Sequence, residues 1–89
     1  MSRIQEFFLQ EHAAQLMIPA GAQILTVMCK EDELFLYVLI PDETASSFMR
    51  SFHVYDTNRP IPQVADMNLH YVGSASKGYH GERHVFEAL

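Results

Sequence analysis

Two stretches of the chain are apolar almost without interruption, Gln23–Lys30 (QILTVMCK) and Leu34–Ile40 (LFLYVLI), and both are rich in β-branched and aromatic residues. The charged link between them, Glu31-Asp32-Glu33, is about hairpin length, so the pattern predicts two adjacent antiparallel strands. The second stretch has no polar alternation. Such a strand needs cover on both faces, as a central strand or a strand at a subunit interface has.

Weaker alternation surrounds this pair. Arg3–Gln10 reads as a strand with either Ile4 and Phe8 or Phe7 and Leu9 on its buried side, and a helix over Ile4–Leu16 is the rival, since Ile4, Phe8, Ala13 and Leu16 come close to a helical stripe. A short strand through Leu16-Met17-Ile18 then meets Pro19-Ala20-Gly21-Ala22, which has the chemistry of a tight turn. After the polar loop Pro41–Ser47, Phe48–Tyr55 puts Phe48, Phe52 and Val54 on one side, with Arg50 as the exception, and Met49, Ser51, His53 and Tyr55 on the other. Asp56–Pro62 is a loop by composition. Asn68–Ser74 and His80–Glu87 read as two closing strands joined through Ser76-Lys77-Gly78-Tyr79, with Gly73 and Gly81 as candidate bulges or points of close backbone approach. The sum is an all-β, mainly antiparallel domain of six or seven short strands, arranged as a small sandwich or a barrel-like meander.

Length narrows this to a single domain over residues 1–89. A core that small is marginal without a metal, a disulfide or a partner subunit. Cys29 is the only cysteine and has no partner within the chain, so it reads as a small core residue, and together with the lack of a secretion-signal pattern it points to a reducing cytoplasm. The longest apolar run is far short of the ~18 residues of a membrane-spanning helix. Hydrophobic content of 48% against 19% charged argues for a packed core rather than disorder.

Charge is distributed unevenly. Residues 1–49 set Arg3 and Lys30 against Glu6, Glu11, Glu31, Asp32, Glu33, Asp42 and Glu43, so this half holds the whole net charge of −5. The second half is balanced and carries His53, His70, His80 and His84. Six Lys and Arg in total, with no basic run, disfavour general nucleic-acid binding.

Few residues suggest chemistry. His80-x3-His84, with His70 as a third ligand, has a spacing found in zinc sites, but on one strand residues four apart stand roughly 13 Å from each other; separate histidines are the better reading, with no metal and no cofactor. Cys29 lies in an apolar strand, where a thiolate nucleophile is disfavoured. The candidate ligand-binding set is His53, Tyr55, Asp56, Thr57, Asn58 and Arg59, joined by His84 if the last strand lies alongside. Arg59 suits a phosphate or carboxylate, Tyr55 a stacked base, and Asn58 a polar edge. The plainer alternative is a loop whose polar side chains cap their own backbone.

The segments Ile18–Leu25, Phe52–Pro62, Tyr71-Val72-Gly73 and His84–Glu87 together resemble a group of small phage and prophage proteins that carry a domain of unknown function. Relatives in that group tend to have a Gly-Thr-Gly-His-Pro type loop where this chain has Asp56-Thr57-Asn58-Arg59-Pro60. The resemblance implies an accessory protein acting in an infected bacterial host by binding. The expectation is a non-enzymatic, homo-oligomeric protein that neutralises a host or defence protein, or a small anionic nucleotide-like signal. A minor structural or assembly component of a phage particle is the alternative. A small hydrolase is the third, for which no nucleophile, base and orienting group can be named together.

Overall fold

A computed structural model of the chain describes residues 2–10, 12–42, 46–61, 68–76 and 81–89. Seven strands account for most of them: β1 Arg3–Leu9, β2 Ala13–Pro19, β3 Gln23–Lys30, β4 Glu33–Ile40, β5 Ser47–Asp56, β6 Leu69–Ser76 and β7 Glu82–Ala88. They form two antiparallel sheets, of order β1-β4-β3 and β2-β5-β7-β6. Among the described residues there is no helix, so none is long and apolar enough to cross a membrane.

The two sheets stack face to face, and the Cα envelope measures 41 × 34 × 16 Å. A short dimension of 16 Å fits two layers about 10 Å apart, and among the described residues no strand pairing joins the sheets, so the fold is an open sandwich rather than a closed barrel. Only β3–β4 and β6–β7 pair as consecutive strands; the chain crosses between sheets at β1–β2, β2–β3 and β4–β5, and β6 lies beyond β7 rather than beside β5, which a simple meander does not do.

Arg3–Leu9 and Ala13–Pro19 are both extended strands. Phe7 and Leu9 face inward, Ile4 and Phe8 outward, and the chain passes to the other sheet through His12 at φ 72°. A helix over 4–16 loses to pairing: Ala14, a good helix former, is buried opposite Phe52, where a small side chain makes room for a large one. The turn after β2 closes with Ala22 N donating to Pro19 O at 3.2 Å and Gly21 at φ 77°, the left-handed position that glycine occupies without strain.

β4 is the central strand of its sheet. Leu34, Leu36, Val38 and Ile40 enter the core with Leu9, Ile18, Val27, Phe52, Val54 and Val85. Its hairpin with β3 turns on two residues, Glu31 and Asp32, because Glu33 already pairs with Lys30. Both carry positive φ (50° and 65°), as the right-handed twist of the flanking strands requires of a two-residue turn.

On β5, Phe52 and Val54 are buried as the alternation predicts, while Phe48 is 59% exposed at the strand's start. Arg50, the exception on that face, points inward and forms a forked pair with Glu87: Nε to Oε2 at 2.5 Å and NH2 to Oε1 at 2.6 Å. Glu87 is 5% exposed, and its hydrogen bonds raise the Arg50 pKa further above its ordinary value, against the opposing effect of burial. At the other end of the same face Arg83 Nε lies 2.6 Å from Asp56 Oδ1, an ionic contact in which the N–H is not aligned on the oxygen. Two ion pairs therefore bracket the core.

Where the sheets approach, a Cβ added at Gly73 would meet Val27 Cγ2 at 3.4 Å. Gly73 also adjoins a β-bulge, a register shift between Tyr71 and Gly73 against β7. Gly81, at φ 82°, precedes β7 instead of interrupting it. The predicted join at 77–79 and His80 lie outside the described residues, as does Pro62.

Candidate functional site

The outer face of the four-stranded sheet carries the strongest concentration of rings and hydroxyls. Register puts Tyr55 opposite His84 and His53 opposite Phe86, while β6 sets Tyr71 against Phe86 and Ser74 against His84. Tyr71 and Ser74 are three apart, a spacing that would send them to opposite faces of a regular strand. The bulge between them brings both to the outside.

A continuous belt results. His53 stacks on Tyr55 with centroids 6.2 Å apart and planes at 7°; Tyr55 meets Phe86 at 5.9 Å, and Phe86 meets Tyr71 edge-on at 5.4 Å. From Tyr71 the chain continues through hydrogen bonds: Tyr71 Oη to Ser74 Oγ, Ser74 Oγ to His84 Nδ1 and His84 Nε2 to Thr57 Oγ1, each 2.6 Å. Both ring nitrogens of His84 therefore face hydroxyls, which rotate to donate or accept, so either the neutral or the protonated imidazole finds partners. Thr57 is fixed in turn by its backbone N–H, which donates to Glu82 O at 3.3 Å.

Chain comparison adds a family to this geometry. A family model for a domain of unknown function, DUF7352, matches residues 1–89. The chain belongs to that family. No curated protein and no solved structure matches this DUF7352 chain.

Of the residues that the sequence singles out in this DUF7352 domain, four come together on the outer face: His53, Tyr55, Thr57 and His84. Asp56 turns inward to Arg83 instead. Asn58 sits at the apex of a tight turn, φ 68°, closed by Arg59 N donating to Asp56 O at 3.2 Å. Arg59 lies just past that turn and lines a shallow cavity of about 270 Å³ with His12, Tyr55, Asp56 and Pro60, beside the belt. The Asp56 side chain is thus held by an arginine, and the turn is closed by backbone.

Sequence reading missed Ser74, Tyr71 and Phe86. Phe86 was legible from alternation on β7, but the joint placement of Tyr71 and Ser74 depends on the bulge, and glycine at 73 was its one local sign. The arrangement also pairs a hydroxyl with an imidazole, Ser74 with His84, which sequence spacing gave no means to join. His84 meets a threonine hydroxyl on its other nitrogen where a catalytic triad has a carboxylate. His70, on β6, lies at a different cavity with Arg50 and Glu87. Among the described residues no group of three His, Cys, Asp or Glu is placed to hold a metal ion. Cys29 is half-buried against the core.

Proposed function

We propose that the chain is a non-enzymatic binding protein whose recognition surface is the outer face of the four-stranded sheet, and that its ligand is small, planar and anionic, of nucleotide type. The belt Tyr71–Ser74–His84–Thr57, closed by the rings of His53, Tyr55 and Phe86, carries this reading. Half-buried rings offer stacking area, hydroxyls and an imidazole suit the polar edges of a base or sugar, and Arg59 beside them supplies the positive charge that a phosphate needs. Taken with the resemblance to phage and prophage proteins, the role is sequestration of a host defence signal in the cytoplasm of an infected bacterium.

Calorimetry with mononucleotides and cyclic dinucleotides tests this. One ligand should bind at one site per chain, with affinity falling roughly tenfold or more for Tyr55→Ala and for Arg59→Ala, since one stacked base contributes about 1–3 kcal/mol. No heat from any nucleotide would end the small-ligand version and leave a host protein as the partner. A pull-down from host lysate before and after removal of small molecules would then look for that partner.

Two other readings each have an observation in their favour. The Ser74–His84 contact favours a hydrolase, and loss of ester turnover in Ser74→Ala would support it. The exposed apolar residues on the three-stranded sheet favour an assembly component, which detection in purified particles would support.

A further inference from the structure

Beside the belt, β2 stops short of the end of β5. Its first residue, Ala13, pairs with His53, and His12 marks the bend just before it, at φ 72°, with its carbonyl accepting the Val54 N–H at 2.9 Å. Amides of an extended strand point alternately to its two sides. The Val54 N–H points towards β2, and the Thr57 N–H points the other way, to Glu82 O. The Asp56 N–H therefore faces the side that β2 leaves uncovered. Arg59 is drawn to the same side, because its own N–H donates to Asp56 O at 3.2 Å. The cavity of about 270 Å³ that forms there is lined by His12, Val54, Tyr55, Asp56, Arg59 and Pro60. Its two basic residues, His12 and Arg59, are exposed, while its one acidic side chain, Asp56, is paired inward with Arg83. An imidazole, a guanidinium and a backbone N–H thus border one pocket, and the carboxylate beside them is already neutralised.

We infer, resting on the reading of the belt as a surface for a planar ring, that this cavity is an anion subsite that takes the terminal phosphate of a nucleotide-type ligand. Tyr55 belongs to both places: it lines the cavity, and its ring meets His53 and Phe86 in the belt. One ligand therefore reaches both. A terminal phosphate carries three non-bridging oxygens and close to two negative charges near neutral pH. It meets three donor groups here, from His12, the Asp56 amide and Arg59, and hydrogen bonds to such an ionised group are the strong ones. A bridging phosphodiester offers two such oxygens and a single charge. The subsite accordingly favours a nucleoside monophosphate over a diester.

Two titrations followed by NMR at constant ionic strength separate the subsite from the belt. Inorganic phosphate alone, replacing chloride up to roughly 20 mM, should move the Asp56 amide and the His12 and Arg59 side-chain signals, and should do so less in Arg59→Gln. The second titration compares ribonucleosides, their 5′-monophosphates and the methyl esters of those monophosphates. The monophosphate should bind about tenfold or more tighter than its nucleoside, with the methyl ester between them. Arg59→Gln and His12→Gly should each bring that ratio towards one. Glycine takes φ 72° without strain, so His12→Gly removes the imidazole and keeps the bend. Tyr55→Ala should weaken nucleoside and monophosphate alike and leave their ratio standing. If no nucleoside binds while phosphate still moves the three residues, the planar-ring reading falls and the subsite stands. Phosphate that leaves those signals unmoved would overturn the subsite. So would a monophosphate that binds no better than its nucleoside or its methyl ester, or a ratio untouched by both substitutions.

Discussion

Glu87 and Arg50 differ in burial, and that difference orders the cost of removing either one. Glu87 is 5% exposed in a face it shares with Phe52, Val54 and Val85, whereas the Arg50 side chain keeps 29% of its surface and lies 6.0 Å from the centre of the Phe52 ring. Arg50→Met keeps the apolar stem over Phe52 but strands a buried carboxylate, which costs about 3–5 kcal/mol. Glu87→Ala strands a guanidinium that water can partly rehydrate, and screening brings the cost down to about 2–3 kcal/mol. At roughly 4–8 °C per kcal/mol for a domain of this size, either change is a large fall in melting temperature. Replacing both, Arg50→Met with Glu87→Leu, removes both buried charges and should recover most of the loss. Urea unfolding at constant m-value measures all three. A Glu87→Ala cost exceeding that of Arg50→Met, or a double variant as unstable as the two singles combined, would refute the reasoning.

Other outcomes follow from local geometry. The turn Glu31-Asp32 holds two non-glycine residues at positive φ, so Glu31→Asn with Asp32→Gly should raise stability by about 1–2 kcal/mol, seen as a higher melting temperature. Gly73→Ala places a Cβ 3.4 Å from Val27 Cγ2 and should shift stability by no more than about 1 kcal/mol, while Gly73→Leu drives the sheets apart and should cost about 1–3 kcal/mol or more by denaturant titration. The Glu6 carboxyl, held below its usual 4.5 mainly by the Lys30 hydrogen bond and then by Tyr37, should titrate at higher pH in Lys30→Met when followed by carbon NMR. A lowered carboxyl stabilises the fold above its unfolded pKa, and the gain is lost as pH falls through the folded value. Lys30, raised above 10.5 chiefly by Glu6, gives the opposite edge, so its gain is full below its unfolded pKa and lost as pH rises through the folded one. The contribution of this network should therefore be flat between about pH 4.5 and 10.5.

The all-β character was legible because alternation and β-branched content are local properties of short segments. The β3–β4 hairpin was legible for the same reason. What alternation left open, long-range pairing decided: Leu9 against Leu34 and Ala14 against Phe52 fix the inward faces of β1 and β2, and neither partner lies nearby in sequence. Arg50 broke the pattern of β5 in a way that marked it out, yet its reason is thirty-seven residues away in Glu87. The candidate site divided along the same line. His53 and Tyr55 share a face by period two, and His84 joins them because β7 pairs with β5, whereas Asp56 sits on the inward side of that same alternation and meets Arg83. Ser74 needed a bulge to reach His84, and a bulge changes register without any periodic signal.

The most direct measurement is amide and side-chain NMR of the 15N-labelled chain titrated with a nucleotide that gives heat in calorimetry. The expected shifts concentrate on His53, Tyr55, Thr57, Arg59, Ser74 and His84, saturate together, and disappear in Tyr55→Ala. Shifts confined to Ile4, Phe8 and Met28 on the opposite sheet, or a spectrum unchanged at millimolar nucleotide, would contradict a ligand face built from that belt.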